Sequence, residues 1–205
     1  MENIDLIQRW RKLFENAEIN KVESIYKNIL DGYSESHRHY HTIDHVKACL
    51  CHLDSVENVA NRRDVEIALW FHDVIYDSFK KDNEERSAVF AGSELTVLGE
   101  SKQTIDSVKH LVILTKHPSN PKELHEKYLI DIDLSILGSN KDAYDRYEHW
   151  IRKEYSKVPS ILYKRGRKKV LRSFLDQPKI YSTELFSKKY EANARKNLKN
   201  ALYHL

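Results

Sequence analysis

Apolar residues recur three and four positions apart along almost the whole chain, the period of an α-helix laid against a core. Little interrupts the pattern, since the 205 residues include only 5 glycines and 4 prolines. An all-β chain needs many tight turns, which consume those residue types. The spacing therefore predicts an all-α fold of long helices. Ile4, Ile7, Trp10 and Phe14 mark a first helix; Val22, Ile25, Tyr26 and Ile29 mark a second, with Gly32 as its stop. Thr42 caps a third that carries Val46, Cys49, Leu50 and Leu53. A fourth, Asp64 to Tyr76, is apolar nearly all round and belongs in the middle of the fold. A fifth runs from Asn83 to Leu98 and stops at Gly99, and Ser101 caps a sixth. Pro118 and Pro121 bracket the clearest loop. A seventh helix covers Leu124 to Leu137, Asn140 opens an eighth, Pro159 and Pro178 bound a ninth, and a tenth starts at Thr183. Val112-Ile113-Leu114 is the one candidate for a strand, although it continues a helical pattern.

The composition sets the remaining bounds. Hydrophobic residues at 40% and charged residues at 32% suit a globular chain. A formal net charge of +3, with basic and acidic residues interleaved, does not imply a nucleic-acid polymer as partner. The basic run Lys164-Arg165-Gly-Arg167-Lys168-Lys169 reads as a solvated helix face. No apolar run approaches a membrane span. The opening MENIDLIQRW lacks the basic-then-apolar order of a signal peptide. Cys49 and Cys51, two apart, point away from each other on a helix and read as reduced thiols. A single domain over 1–205 in the cytoplasm is the expectation, with a core at about 35–140 and further helices packed on it.

His72-Asp73 closes the most apolar helix. Burying an imidazole and a carboxylate beside Trp70 and Phe71 is costly unless a cation neutralises the acid. Adjacent helical residues point about 100° apart, so an ion held by both sits at the helix edge and needs further ligands. The sequence offers them on either side: His41 and His45, four apart, and Asp131 and Asp133 within Leu129-Ile-Asp-Ile-Asp-Leu-Ser-Ile-Leu-Gly138. A mixed nitrogen and oxygen set suits Mn, Fe, Co, Ni or Zn better than Ca, and Mg when waters complete the sphere.

The ordered set His, His-Asp, Asp resembles the HD superfamily of metal-dependent phosphohydrolases, and within it a bacterial family described only as predicted HD-type phosphohydrolases. The resemblance is carried by Arg38-His-Tyr-His-Thr-Ile-Asp-His45-Val, Trp70-Phe-His-Asp-Val-Ile-Tyr-Asp77, Asp82-Asn-Glu-Glu-Arg-Ser87, Asp131-Ile-Asp-Leu-Ser-Ile-Leu-Gly138, Ile151-Arg-Lys-Glu-Tyr155, Gly166-Arg167 and Ala194-Arg-Lys-Asn-Leu198. It implies an HD-domain helical bundle with additional C-terminal helices. It also implies one divalent metal ion held by His45, His72, Asp73 and Asp133, with His41 the competitor for the first position. Asp133 matches better than Asp131 because Leu134 follows it, and Asp131 then becomes a supporting group or a helix cap. Some members bind a second ion through extra histidines; His117, with His110 seven positions earlier, lies in the right interval without matching that pattern.

The implied chemistry is hydrolysis of a phosphate ester or anhydride, in a small phosphorylated metabolite or nucleotide, by a metal-activated water. Arg38 and Arg167, with Lys116 third, are the candidate cations for the phosphate. Asp77 and Glu84 are the candidate acids that orient the water or protonate the leaving oxygen, with helix capping as the plain alternative for both. Two other functions fit the same residues: an HD protein that binds metal or nucleotide without turnover, and a di-iron oxygenase.

Overall fold

A computed structural model describes residues 5–205, so Ile4 lies outside the described residues. Ten α-helices and one 3₁₀ helix account for the regular structure among them, and no strand is present. Val112-Ile113-Leu114 is helical. No described helix is long and apolar enough to cross a membrane. The chain divides into two compact units, Met1–Ser119 and Asn120–Leu205. The division falls in the loop bracketed by Pro118 and Pro121.

The first unit holds α1 (Leu6–Leu13), α2 (Ile19–Tyr33), α3 (Ile43–Asp54), α4 (Arg62–Phe71), α5 (Asn83–Val97) and α6 (Lys102–Leu114). As its composition predicts, α4 is central: every residue from Val65 to Phe71 is buried, and the helix packs against α3, α5 and α6. Trp10 of α1 meets the rings of Trp70 and Phe71 edge-on at 5.5 and 5.8 Å. Glu66, the one acid in the buried stretch, is neutralised by Arg9 at 2.6 Å.

Gly32 is not the stop expected of it, because α2 continues to Tyr33. Its role is spacing. A Cβ there would lie 2.8 Å from the carbonyl oxygen of Val74, closer than real Cβ contacts come. Likewise α4 ends at Phe71 rather than Tyr76, and residues 72–82 form an irregular connector to α5. Partners for the connector's backbone replace the helical hydrogen bonds it forgoes. His37 Nε2 lies 2.9 Å from the Tyr76 carbonyl oxygen. Ser87 Oγ, buried on α5, accepts from Ile75 N and donates to Ile75 O. Asn83 accepts from Asp77 N and donates to Asp77 O, at 3.1 and 3.0 Å.

The second unit holds α7 (Leu124–Asp133), a 3₁₀ helix (Leu134–Gly138), α8 (Lys141–Glu154), α9 (Ser160–Leu175) and α10 (Glu184–His204). The expected seventh helix thus tightens into 3₁₀ geometry over its last five residues. That short element packs against α7, α8 and α10, and Gly138 lets α10 close in, since a Cβ there would meet Tyr190 at 2.4 Å. Asn197 of α10 donates to Leu137 O and Ser139 O and so closes the 3₁₀ end. Ser101 and Asn140 cap α6 and α8 through their side chains as expected, whereas Thr42 precedes α3 without a side-chain bond.

Helix propensity alone favours Ala over Gly within α2 by about 1 kcal/mol. The Val74 carbonyl reverses that sign. Gly32→Ala is expected to destabilise the protein by roughly 1–3 kcal/mol, measured as a lowered midpoint in urea denaturation; a stabilised variant would contradict the close approach.

Candidate metal centre

α4 ends at Phe71, and the His-Asp pair stands in the turn that follows, closed by Val74 N donating to Phe71 O at 3.1 Å. His72 still has helical φ and ψ of −56° and −38°, and its Nδ1 lies 2.9 Å from the carbonyl oxygen of Leu69. A carbonyl only accepts, so Nδ1 carries the proton and donates, and Nε2 is left with its lone pair. That nitrogen faces two others. His45 Nε2, from the first turn of α3, lies 3.1 Å away, and the Asp73 carboxylate Oδ2 also lies 3.1 Å away. His45 Nε2 and Asp73 Oδ2 are 3.8 Å apart.

These distances test the donor set directly. A triangle with those three sides has its centre about 2.0 Å from every corner, which is the bond length from Zn or a similar divalent ion to imidazole nitrogen or carboxylate oxygen. His45 and His72 are both buried, and Asp73 is mostly so. Two imidazoles and an acid held this close fit a cation.

Cys49 joins the group. Donor atoms of His45, Cys49 and His72 all lie within 4.8 Å of one another, and the buried Cys49 sulfur is 3.8 Å from each ring nitrogen of His45. The sequence carried the signal, because His45 and Cys49 are four apart and share one face of α3. The cysteine is missed when it is weighed only as a disulfide partner for Cys51; both residues are thiols. A buried cluster able to hold a metal ion is therefore present in the first unit.

The other candidates are placed as follows. His41 precedes α3 instead of sharing its face with His45. It stacks on Tyr76 at 4.0 Å, with its ring 6.3 Å from that of His45. His110 is exposed on α6, and His117 follows the end of that helix, so the two do not share a helical face. Arg38 is buried, and its five N–H groups go to Glu35 Oε2 (two bonds) and to the carbonyls of His41, Asp73 and Val74. A guanidinium has five such groups. The expectation that Arg38 contacts a phosphate is corrected on that account: its donors are already committed within the protein.

Asp77 Oδ1 accepts from Phe79 N at 2.9 Å, the local turn that is its plain reading. Glu84 opens α5 half-buried. Burial pushes its carboxyl above the usual range and the negative Asp73 adds to the push, while its own backbone N–H and Lys116 pull it back. Lys116 itself is paired with Glu85 and donates to Lys81 O.

In the second unit Asp133 is the last residue of α7, half-buried, and its charge acts on Tyr147 of α8. Asp131 is fully buried and accepts from Ser182 N, Thr183 N and Thr183 Oγ1 at 2.6–2.8 Å. Its carboxylate holds the entry to α10. Arg167 departs from the solvated face predicted for its run. It points inward and donates to Glu148 and to Tyr147 Oη.

No family model matches the chain, and no curated protein or solved structure matches it either.

Two measurements check these placements. Asp131→Ala leaves three buried or half-buried donors without their acceptor and is expected to cost about 3 kcal/mol, read from chemical denaturation. For Glu84 the folded pKa lies above the unfolded one, so stability is fullest at low pH and falls as pH rises through the carboxylate range. Metal-free Glu84→Gln is therefore expected to melt higher than metal-free wild type near about pH 7, with the gap closing near about pH 4. Thermal denaturation at both values decides it.

Proposed function

We propose that this chain is a metal-dependent phosphohydrolase of the HD type, acting on a phosphate ester or anhydride in a small phosphorylated compound. The observation that carries the reading is the triangle of His45 Nε2, His72 Nε2 and Asp73 Oδ2, with a common centre at metal-bond distance. Chain order supports it, because these three residues and Asp133 occupy the His, His-Asp, Asp positions of the resemblance. Asp133 is the fourth ligand in this reading.

A divalent ion in such a site supplies an activated water and a Lewis acid for a phosphoryl oxygen. The chain supplies the remainder. Leu69 O fixes the His72 tautomer so that Nε2 faces the ion. Asp73 brings the negative charge that binds a dication in a mostly apolar surrounding. Glu84, a half-buried carboxyl whose electrostatic neighbours include Asp73, is the candidate acid–base group for the attacking water or the leaving oxygen. Cys49 beside His45 adds a soft donor to the surroundings, which favours Zn, Fe or Co over Mg.

The test is metal analysis of protein purified without chelators, followed by a screen of phosphorylated metabolites on protein reloaded with Mn, Mg, Co, Ni or Zn. One ion per chain with turnover is the expected result. Metal without any turnover would identify a binding protein, and two irons with visible absorption an oxygenase. Asp73→Ala is expected to lose both metal and hydrolysis, and a variant that keeps both would overturn the ligand set.

A further inference from the structure

The helix break after Phe71 poses a problem that the ligands themselves do not solve. Helical continuation through Tyr76 would satisfy the amides of residues 72–76 from within the helix. With α4 ending at Phe71, the carbonyls of Asp73 and Val74 and the amide of Asp73 need partners from outside the helix, in a largely buried place. Each costs about 1–3 kcal/mol if unmet. Something outside α4 has to pay for the break.

Two side chains from the end of α2 and the turn after it do so. Arg38 Nη1 donates to Asp73 O at 2.6 Å and Nη2 to Val74 O at 2.8 Å, while Nη1 also reaches His41 O at 3.3 Å. Tyr33 Oη accepts from Asp73 N at 3.3 Å and donates to Trp70 O at 3.1 Å. Thus both backbone polar groups of Asp73 are held, one by each residue. Arg38 is itself fixed: Glu35 pairs with it at 2.8 Å, and the rings of Tyr33 and Tyr76 lie 5.4 and 5.6 Å from its guanidinium carbon. Tyr33 is buried, so its hydroxyl is held between the Asp73 amide and the Trp70 carbonyl.

We infer that Arg38 and Tyr33 are positioning residues for the metal centre. They hold the Asp73 peptide in the turn after α4, where its carboxylate faces His72 and His45. This rests on the metal reading above and concerns how the site is built rather than what it turns over. A lysine cannot replace Arg38, because one ammonium nitrogen cannot span the carbonyls of His41, Asp73 and Val74 that a planar fork reaches together.

Cobalt titration of the full chain tests it, reading affinity by calorimetry and coordination geometry by the cobalt visible spectrum, with the stability of each metal-free variant measured alongside. Arg38→Lys is expected to bind cobalt about 10–100-fold more weakly, with an altered spectrum. Tyr33→Phe, which removes one hydroxyl and keeps the ring, is expected to shift both in the same direction and carries the test if Arg38→Lys does not fold. Arg63→Lys is the control. Arg63 also joins a backbone carbonyl, Leu13 O, to an acid, Glu100, but from the opposite end of α4. Its replacement is expected to lower stability and leave cobalt affinity and spectrum unchanged. Folded Arg38→Lys and Tyr33→Phe proteins with wild-type affinity and spectrum would overturn the positioning role while leaving the metal reading standing. Wild-type protein that takes up no cobalt, or any other divalent ion, would overturn the metal reading first.

Discussion

The first unit depends on how a stretch of irregular backbone is kept satisfied in a largely apolar setting. The connector after α4 runs beside the most buried helix of the unit, yet it forms no helical ladder of its own. Its amides and carbonyls are met by side chains from both flanks: Tyr33 and Arg38 from α2 and the turn beyond it, Ser87 and Asn83 from α5. Buried backbone groups need such partners. Here the partners also decide where the carboxylate of Asp73 points, so the solution to a folding problem sets the geometry of the candidate site. Gly32 belongs to the same arrangement, because only a residue without a side chain lets α2 lie against Val74 O.

Much of this was legible in the residue order. Helical spacing gave the all-α class and placed α4 at the centre, since a helix apolar on every side has no solvent face to present. The capping roles of Ser101 and Asn140 could be read because a cap is a local interaction over three residues. The two helix ends read incorrectly, at Gly32 and at Tyr76, fail for one shared reason. Each is set by a contact between segments some forty residues apart, and periodicity within a window does not register it. The 3₁₀ tightening after Asp133 is hidden in the same way, because Leu134 to Leu137 would fit either kind of helix.

The candidate site divides along the same line. His45, His72 and Asp73 could be picked out because their chemistry is conspicuous against apolar neighbours. The choice between His41 and His45 needed the start of α3, which lies between them and leaves His41 against Tyr76. Arg38 shows the opposite case: a cation near a candidate phosphate site invites a catalytic role, and only its hydrogen bonds reveal a residue engaged with Glu35 and three backbone carbonyls. Cys49 went unread because its partner was sought two residues away instead of four. Asp131 and Asp133, so similar in sequence, part company because one faces the start of α10 and accepts three hydrogen bonds there.

A connector whose polar atoms are answered by side chains on two different helices has an evolutionary consequence. The exposed face of a helix tolerates most exchanges of side chain, since its backbone bonds are supplied by the backbone itself. At Tyr33, Arg38, Asn83 and Ser87 the side chain is the bond, so a change at any one strands an amide or a carbonyl belonging to another part of the chain. Among descendants of this protein those four positions are tied to the route of residues 72–79, and drift at them is slow unless the route shifts in step.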